Sequence, residues 1–379
     1  MNMKKYNYGS IVIISLLILF SPVSHGQELS GLKIGGRMMN DWAWMSPDDD
    51  VKKQVGDFTN GSEFRRIWLY TSGTFNENID FKIQIDFTNG AVKIKDVFVV
   101  FKGLPVTVIA GHMKEPFSLE GYTSSKYITF MERALPSLFS PNWNNGLQLS
   151  SSVYNNRLSW AVGVFGNTTN NGYTNTEEGY NFTARVIGLP MFMEEGSKLV
   201  HLGLSVTNRN TTDEVSYSQG PEMNLAPEMI DTGKFNCDKI LIYNGETAAV
   251  YGPISVQGEV FSSSVSNTDL DNPSFFSYYA QASYFLTGEH RAYKSGTFTN
   301  VAPLKSYGQG GIGAVEVAAR YSYLDLDSGT LKGGRLSNVT FGVNWHLNSY
   351  SRIMINYVRS ELIDVGVANM LGTRIQFFF

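Results

Sequence analysis

The sequence predicts an all-β protein, a transmembrane antiparallel β-barrel of about 16 strands. Three observations lead to this prediction. Long stretches of the chain alternate apolar and polar residues, no segment after the N-terminal region is apolar for the roughly 20 residues that a spanning helix needs, and the chain ends on an alternating strand that closes with Phe377, Phe378 and Phe379. A chain that crosses a bilayer without helices must form a closed barrel, because an open sheet leaves unpaired backbone groups in lipid.

The N-terminal residues have the composition of a secretory signal peptide. Lys4 and Lys5 precede an apolar run at residues 11–20, and small residues follow at Ser24 and Gly26. The apolar run is about half the ~20 residues of a spanning helix, which argues against the alternative of an uncleaved anchor. We therefore expect a signal peptide at residues 1–26 and a single β-barrel domain at residues 27–379.

The alternation is clearest near the C-terminus. In residues 339–347, one set of alternate positions holds Val, Phe, Val, Trp and Leu, and the other holds Thr, Gly, Asn and His. A soluble β-sandwich also alternates, but the polar sets here contain many small residues and only 17% of the chain is charged, which favours a barrel. One strand with its connection takes about 22 residues, so the expected domain has about 16 strands, with 14 or 18 as alternatives.

Composition and motifs argue against several other classes of protein. A formal net charge of −4 argues against a nucleic-acid partner, and a single cysteine, Cys237, excludes an internal disulfide and a cysteine metal cluster. The histidines after the signal peptide lie far apart, without metal-ligand spacing. The glycine pattern at residues 308–313 precedes an alternating strand instead of a helix, so it predicts a turn. We expect no catalytic residues, no metal and no cofactor.

One long stretch of sequence resembles a known family. It comprises residues 102–105 (KGLP), 111–120 (GHMKEPFSLE) and 123–136 (TSSKYITFMERALP), and it closely resembles the phosphate-selective porin O/P family. Shorter segments match the same family, and together the matches extend from about Gly36 to Phe379. These further segments are Phe64-Arg65-Arg66, residues 286–293 with Phe298, residues 316–326, Gly333-Gly334 and residues 342–345.

The resemblance implies a 16-stranded outer-membrane porin, usually a homotrimer, through which small solutes diffuse passively. In this family, arginines along the lumen and lysines near an inward-folded constriction loop favour anions such as phosphate; the net acidic charge of this chain departs from that pattern. The implied partners are the lipid bilayer, further copies of the chain, small anions and, through Phe379, the barrel-assembly machinery. A weakly selective general porin is the nearest alternative; an outer-membrane barrel hydrolase and a soluble β-sandwich are remote ones.

Two arguments nominate pore-lining residues. The segment after Phe117 lacks clean alternation and is the candidate constriction loop; its alternative role is to pack against the wall with its charges paired. On the strands, a cation that faces mid-bilayer lipid costs about 2–4 kcal/mol, so arginines on polar faces should point inward, either as an anion-selective ladder or as part of a charge-balanced wall. Arg65 and Arg66 cannot both point inward on a regular strand. The candidates are Arg65, Arg66, Lys114, Lys126, Arg133, Arg185, Arg320, Arg352 and Arg374.

Overall fold

The computed structural model describes residues 29–174, 177, 179–211, 214–266 and 271–379. The predicted signal peptide, residues 1–26, lies outside the described residues. Sixteen antiparallel strands form one closed barrel, which confirms the predicted fold class and strand number. The strands are β1 (Leu29–Pro47), β2 (Gly61–Phe75), β3 (Ile79–Asp86), β4 (Lys93–Phe101), β5 (Thr107–Lys114), β6 (Trp143–Val153), β7 (Leu158–Gly166), β8 (Asn181–Met193), β9 (Lys198–Asn210), β10 (Lys239–Tyr251), β11 (Ile254–Ser266), β12 (Ser274–Phe285), β13 (Ala314–Ser328), β14 (Leu331–Asn348), β15 (Ser351–Leu362) and β16 (Gly366–Phe378).

The first and last strands close the barrel. β1 pairs with β16 from Arg37 opposite Phe378 to Pro47 opposite Ala368. Beyond these pairs, the backbone N–H groups of Gly36 and Phe379 each donate to the other residue's carbonyl oxygen at 3.1 Å. A Cβ atom at the neighbouring Gly35 would lie 2.5 Å from the Phe379 carbonyl oxygen, so this junction needs a glycine. The terminal residue therefore takes part in the seam.

The strands are apolar on the outside and mainly polar on the inside. On β14, Phe341 and Val343 are exposed on the outer face, whereas Thr340 and Asn344 are buried inside the barrel. This alternation is expected for a sheet with hydrocarbon on one side and a polar interior on the other. Among the described residues, no helix is long and apolar enough to cross a membrane.

Three long connections fold into the barrel. β16 ends at one rim of the barrel, which we call the terminal end. We call the opposite rim the loop end. Residues 115–142 and 211–238 connect strands at the loop end, and residues 286–313 connect β12 to β13 at the terminal end. Short two-stranded pairs order the second and third of these connections; they are Glu214–Val215 with Phe235–Asn236, Ser218–Gln219 with Ile230–Asp231, and Tyr293–Lys294 with Thr297–Phe298.

Short helices complete the connections. α1 (Asp49–Val55) lies between β1 and β2, and α2 (Leu119–Tyr122) lies inside the barrel. The described residues also include three 3-10 turns, at Thr88–Gly90, Leu135–Phe139 and Glu194–Gly196.

The interior near the loop end is not polar all around. Phe139, in the turn Leu135–Phe139, packs between Tyr217 and Phe275, with ring centroids 5.3 and 6.5 Å away. These rings belong to one buried apolar cluster that also includes Phe261 on β11 and Leu336 on β14. Because the connections cover these wall residues, part of the interior is a packed core, and open space is left mainly beside β1–β8.

Candidate functional site

The connection at residues 115–142, the constriction loop, is fixed to the inner wall at its first turn. The backbone N–H groups of Leu119 and Glu120 donate to the Glu259 carboxylate on β11, at 3.0 and 2.8 Å. The Tyr279 hydroxyl donates to the same carboxylate at 2.7 Å. A buried carboxylate stabilises the unpaired N–H groups at the start of a helix, so Glu259 sets the position of α2.

Three predicted arginines point inward and anchor this loop. Arg374 donates to Asp41 on β1 at 2.7 and 2.6 Å and to Glu132 at 2.8 Å. Arg320 donates to the carbonyl oxygen of Glu132 in the loop at 3.1 Å and forms an ion pair of 2.6 Å with Glu222 in the connection 211–238. Arg352 likewise donates to a loop carbonyl oxygen, that of Ile128, at 3.0 Å. Buried and ion-paired in this way, Arg320 and Arg374 fit the charge-balanced wall, whereas Arg352 is buried with only neutral partners among the described residues.

Arg185 has a comparable position at the terminal end. Its guanidinium donates to Glu246 on β10 at 2.9 Å and to the carbonyl oxygen of Gly296 at 3.1 Å. His201 lies 3.1 Å from the same Glu246 and contacts the Tyr293 hydroxyl at 2.6 Å. Arg185 and His201 thereby hold the connection 286–313 against the wall.

A cavity of about 570 Å³ remains open inside the barrel, between the constriction loop and the wall. We call it the basic cavity, because seven basic and four acidic residues line it. Four of the basic residues were nominated from the sequence: Arg65, Arg66, Lys114 and Arg133. Three were missed: Arg37, Lys82 and Lys95. The acidic residues are Asp96, Glu132, Glu222 and Glu228.

A β-bulge turns both Arg65 and Arg66 toward the cavity. Met39 pairs with Arg66 and the next residue, Asn40, pairs with Phe64, so Arg65 is an additional residue on β2. A bulge re-aims a side chain that regular alternation would point outward. The rule that adjacent residues cannot share a face therefore does not apply here, and Phe64 faces outward with half its surface exposed.

A second bulge has the same effect on β4. Ile83 pairs with Val97 and Ile85 pairs with Ile94, so both Lys95 and Asp96 lie opposite Gln84. All three line the basic cavity. Sequence alternation could have nominated Lys82, which lies on the polar face of the segment 81–87. It could not have placed Lys95 and Asp96 together, because the bulge interrupts the alternation.

Two tryptophan rings order the cations of the cavity. Trp68 and Trp143 meet edge to face with centroids 5.8 Å apart. The Arg37 guanidinium lies 4.2 Å from the Trp68 centroid, and the ammonium groups of Lys95 and Lys114 lie 4.6 and 4.9 Å from that of Trp143. Cations favour the negative face of an aromatic ring at such distances. The rings hold these side chains without neutralising their charge.

Several of these cations have no carboxylate partner. Within the described part of the chain, Arg37, Arg66 and Lys114 form no ion pair; Arg37 donates to the Ser125 hydroxyl at 2.9 Å and Lys114 to the Gly121 carbonyl oxygen at 2.7 Å. Arg133 donates to the carbonyl oxygens of Glu120 and Thr123 at 2.9 and 2.8 Å. Positive charge fixed by neutral partners remains available to an anion.

Glu132 is the acidic centre of the constriction loop. Burial alone would raise the pKa of its carboxyl, but the guanidinium groups of Arg65 and Arg374 lower that pKa, so the group is ionised at neutral pH. Arg65 donates to it through two bonds of 2.8 and 2.9 Å. Of the two arginines at the bulge, Arg65 therefore forms an ion pair, whereas Arg66 forms none with any described residue.

Lys126 lies away from the basic cavity. Its ammonium group is 4.6 Å from the ring centroid of Phe378 and 5.0 Å from that of Tyr127, beside a separate, small cavity. Burial, with the charges of Arg37 and Lys82, lowers the pKa of Lys126 to about 8.

No group of three or more His, Cys, Asp or Glu side chains is placed to hold a metal ion in the described segments.

Comparison with known proteins extends over nearly the whole chain. The family profile "Phosphate-selective porin O and P" matches residues 32–379. The chain is similar to Porin O of Pseudomonas aeruginosa, with 25% identity over 377 residues that cover 87% of this chain and 82% of that protein. It is also 28% identical to an uncharacterized protein of Caulobacter vibrioides over 313 residues, 78% of this chain but only 62% of that relative.

The fold is shared with solved porin structures. The anion-selective porin from Comamonas acidovorans superposes with a TM-score of 0.59 at 12% identity, covering 92% of this chain and 99% of that one. At this identity the likeness concerns the fold alone. Fold and family together point to a channel and not to an enzyme. The chain belongs to the phosphate-selective porin O and P family of outer-membrane β-barrels.

Proposed function

We propose that this protein is an outer-membrane channel through which small anions, including phosphate, diffuse passively. The observation that carries the proposal is the basic cavity inside the barrel, which seven basic and four acidic side chains line. An ion enters a constriction when fixed charges replace part of its hydration, and it leaves when no single site binds it too tightly. The side chains of Arg37, Arg66 and Lys114 meet both conditions, because Arg37 and Lys114 donate to neutral oxygens and the Arg66 guanidinium lies 5.3 Å from the centroid of the Trp68 ring.

The nearest alternative is a weakly selective porin. It is favoured by the carboxylates of Asp96, Glu132, Glu222 and Glu228 in the same lining and by the formal net charge of −4. Local charge decides between the two functions, since exposed charges more than about 8–10 Å away are screened at physiological salt. The local balance is positive, which supports anion preference.

Reversal potential across a planar bilayer tests the proposal. With the purified protein in a potassium chloride gradient, we expect a potential of the sign that chloride permeation produces. Adding phosphate to the chamber should reduce the chloride current if phosphate occupies the cavity. A cation-selective reversal potential would overturn the proposal, and an anion preference without any effect of phosphate would restrict it to general anion passage.

We further propose three features, of which family membership implies the first and the sequence patterns at the two ends of the chain predict the others. These are a homotrimer, removal of residues 1–26 on export across the inner membrane of a Gram-negative bacterium, and recognition of the C-terminal strand with Phe379 by the barrel-assembly machinery. Electrophoresis without heating tests the trimer, and N-terminal sequencing of the mature protein tests the cleavage site. Monomer migration or an intact N-terminus would contradict the respective statement.

A further inference from the structure

A second cavity lies beside the basic cavity, toward the terminal end of the barrel. Its volume is about 740 Å³, and it is bounded by the wall of β5–β8 and by the pair of short strands at residues 293–298. Three basic residues, Arg157, Arg185 and Lys294, line it, and among the described residues no acidic side chain does. The positive lining of the barrel interior therefore continues toward the terminal end.

The two cavities share two lining residues. Tyr122, at the end of α2, and Ile109, on β5, contribute to both. The two cavities therefore adjoin where a loop side chain and a wall side chain lie. On the remaining sides, the packed apolar cluster and the connections 211–238 and 286–313 occupy the interior.

Tyr122 is held at this position by its neighbours. The first N–H groups of α2 are bound to Glu259, and the Lys114 ammonium donates to the Gly121 carbonyl oxygen at 2.7 Å. The Arg185 guanidinium lies 5.6 Å from the centroid of the Tyr122 ring. A ring fixed on both sides forms an aperture of defined width, whereas an unsupported side chain would swing aside.

We propose that Tyr122, opposite Ile109, forms the narrowest aperture of the conduction path, and that the path runs through the basic cavity and then the terminal-end cavity. The inference rests on the proposed channel function and adds a size filter to it. Charge selects the sign of the solute in both cavities, and the ring limits its width between them. Anions wider than the gap between the two side chains would be retained.

Single-channel conductance tests the aperture. Replacing the ring in Tyr122→Ala should raise the conductance about twofold, and Tyr122→Trp should lower it, because the narrowest segment dominates the resistance of a pore. Tyr173→Ala is the matched control, since Tyr173 is an exposed tyrosine in a loop-end connection. Conductance of Tyr122→Ala equal to that of the wild type would overturn the inference.

Thiol modification gives a second test that does not depend on a gain of conductance. In a Cys237→Ser background, Tyr122→Cys should react with a small anionic methanethiosulfonate added on either side, and the reaction should reduce the current. Ser125→Cys, on the basic cavity, and Ser150→Cys, on the terminal-end cavity, should each react faster from one side, and the two sides should be opposite. A Tyr122→Cys current that no reagent changes would contradict the inference.

The two proposals fail in different ways. A wild-type protein that forms no conducting pore would remove the channel function itself. The wild type could instead form an anion-preferring pore whose conductance and thiol modification do not change with substitutions at Tyr122. That outcome would leave the channel function intact and remove only the aperture.

Discussion

Arg65 on β2 binds Glu132 in the constriction loop through two parallel hydrogen bonds of 2.8 and 2.9 Å. The contact joins residues 67 positions apart and exists only because the β-bulge turns Arg65 inward. Glu132 also accepts from Arg374, which Asp41 binds in turn. One loop carboxylate is thus held by two strands, and this network fixes the loop beside the open cation Arg66.

Removing the charge of Glu132 should weaken the barrel. In Glu132→Gln, Arg65 loses its carboxylate in a mostly buried site, and we expect the free energy of unfolding to fall by about 1–3 kcal/mol. Urea unfolding in detergent, followed by circular dichroism, measures the change. Glu77→Gln, in a turn at the terminal end, is the control and should change the value by no more than about 0.5 kcal/mol. Equal stability of the two variants would show that the network does not hold the loop.

Removing the charge of Arg66 should reduce anion preference. A unit charge about 5 Å from a passing ion contributes about 0.8 kcal/mol in water, favourably for an anion and unfavourably for a cation, so Arg66→Gln should lower the anion-to-cation permeability ratio about sixteenfold. The reversal potential in a salt gradient measures the ratio. Arg359→Gln removes an exposed arginine from β15 and should leave the ratio unchanged. An equal decrease in both variants would indicate an effect of total charge and not of the cavity.

Lys126 lines neither cavity of the proposed path, but its ammonium group interacts electrostatically with Arg37 and Lys82 in the lining of the basic cavity, so anion preference should depend on pH through Lys126. Its pKa of about 8 means that the ammonium group is charged at pH 7 and neutral at pH 9. The permeability ratio should therefore fall as the pH rises through 8, and Lys126→Met should abolish most of that change. Lys332→Met, in a loop-end hairpin, should show the same fall of the permeability ratio with rising pH as the wild type.

The same lowered pKa has a consequence for stability. Between pH 8 and about 10.5 the unfolded chain binds the proton of Lys126 and the folded chain does not, so this group's contribution to the free energy of unfolding rises with pH in that window.

A pH-independent permeability ratio in the wild type would indicate that Lys126 is too far from the path to act.

The thiol of Cys237 should report on the packing of the connection 211–238. Burial raises the pKa of this thiol to about 11, and the side chain belongs to the inner apolar cluster. At pH 8 we expect maleimide to react about a hundredfold more slowly with the folded protein than with the unfolded one, since the thiolate is the nucleophile. Ser295→Cys in a Cys237→Ser background places an exposed thiol on the folded protein and should react rapidly. Rapid labelling of folded Cys237 would mean that the connection opens readily.

Sequence patterns predicted the wall better than the site. Alternation gave the strands and the inward direction of Arg185, Arg320, Arg352 and Arg374, because lipid excludes unpaired cations. Whether any nominated residue selects ions stays a prediction. Lys95 was missed because alternation assumes one residue per position, and a bulge breaks that assumption.

The sequence by itself determined the all-β barrel, the approximate number of strands and the family. A strand alternates with a period of two residues, and the contrast between lipid and a polar interior appears as alternation of apolar and polar residues along the chain. Only the tertiary structure decided which cations are paired and which are open. Arg374 meets Asp41 across 333 positions and Arg320 meets Glu222 across 98, and such pairs follow from barrel closure and loop placement. Charge neutralisation depends on distances of a few ångströms, which a pattern of neighbours along the chain does not contain.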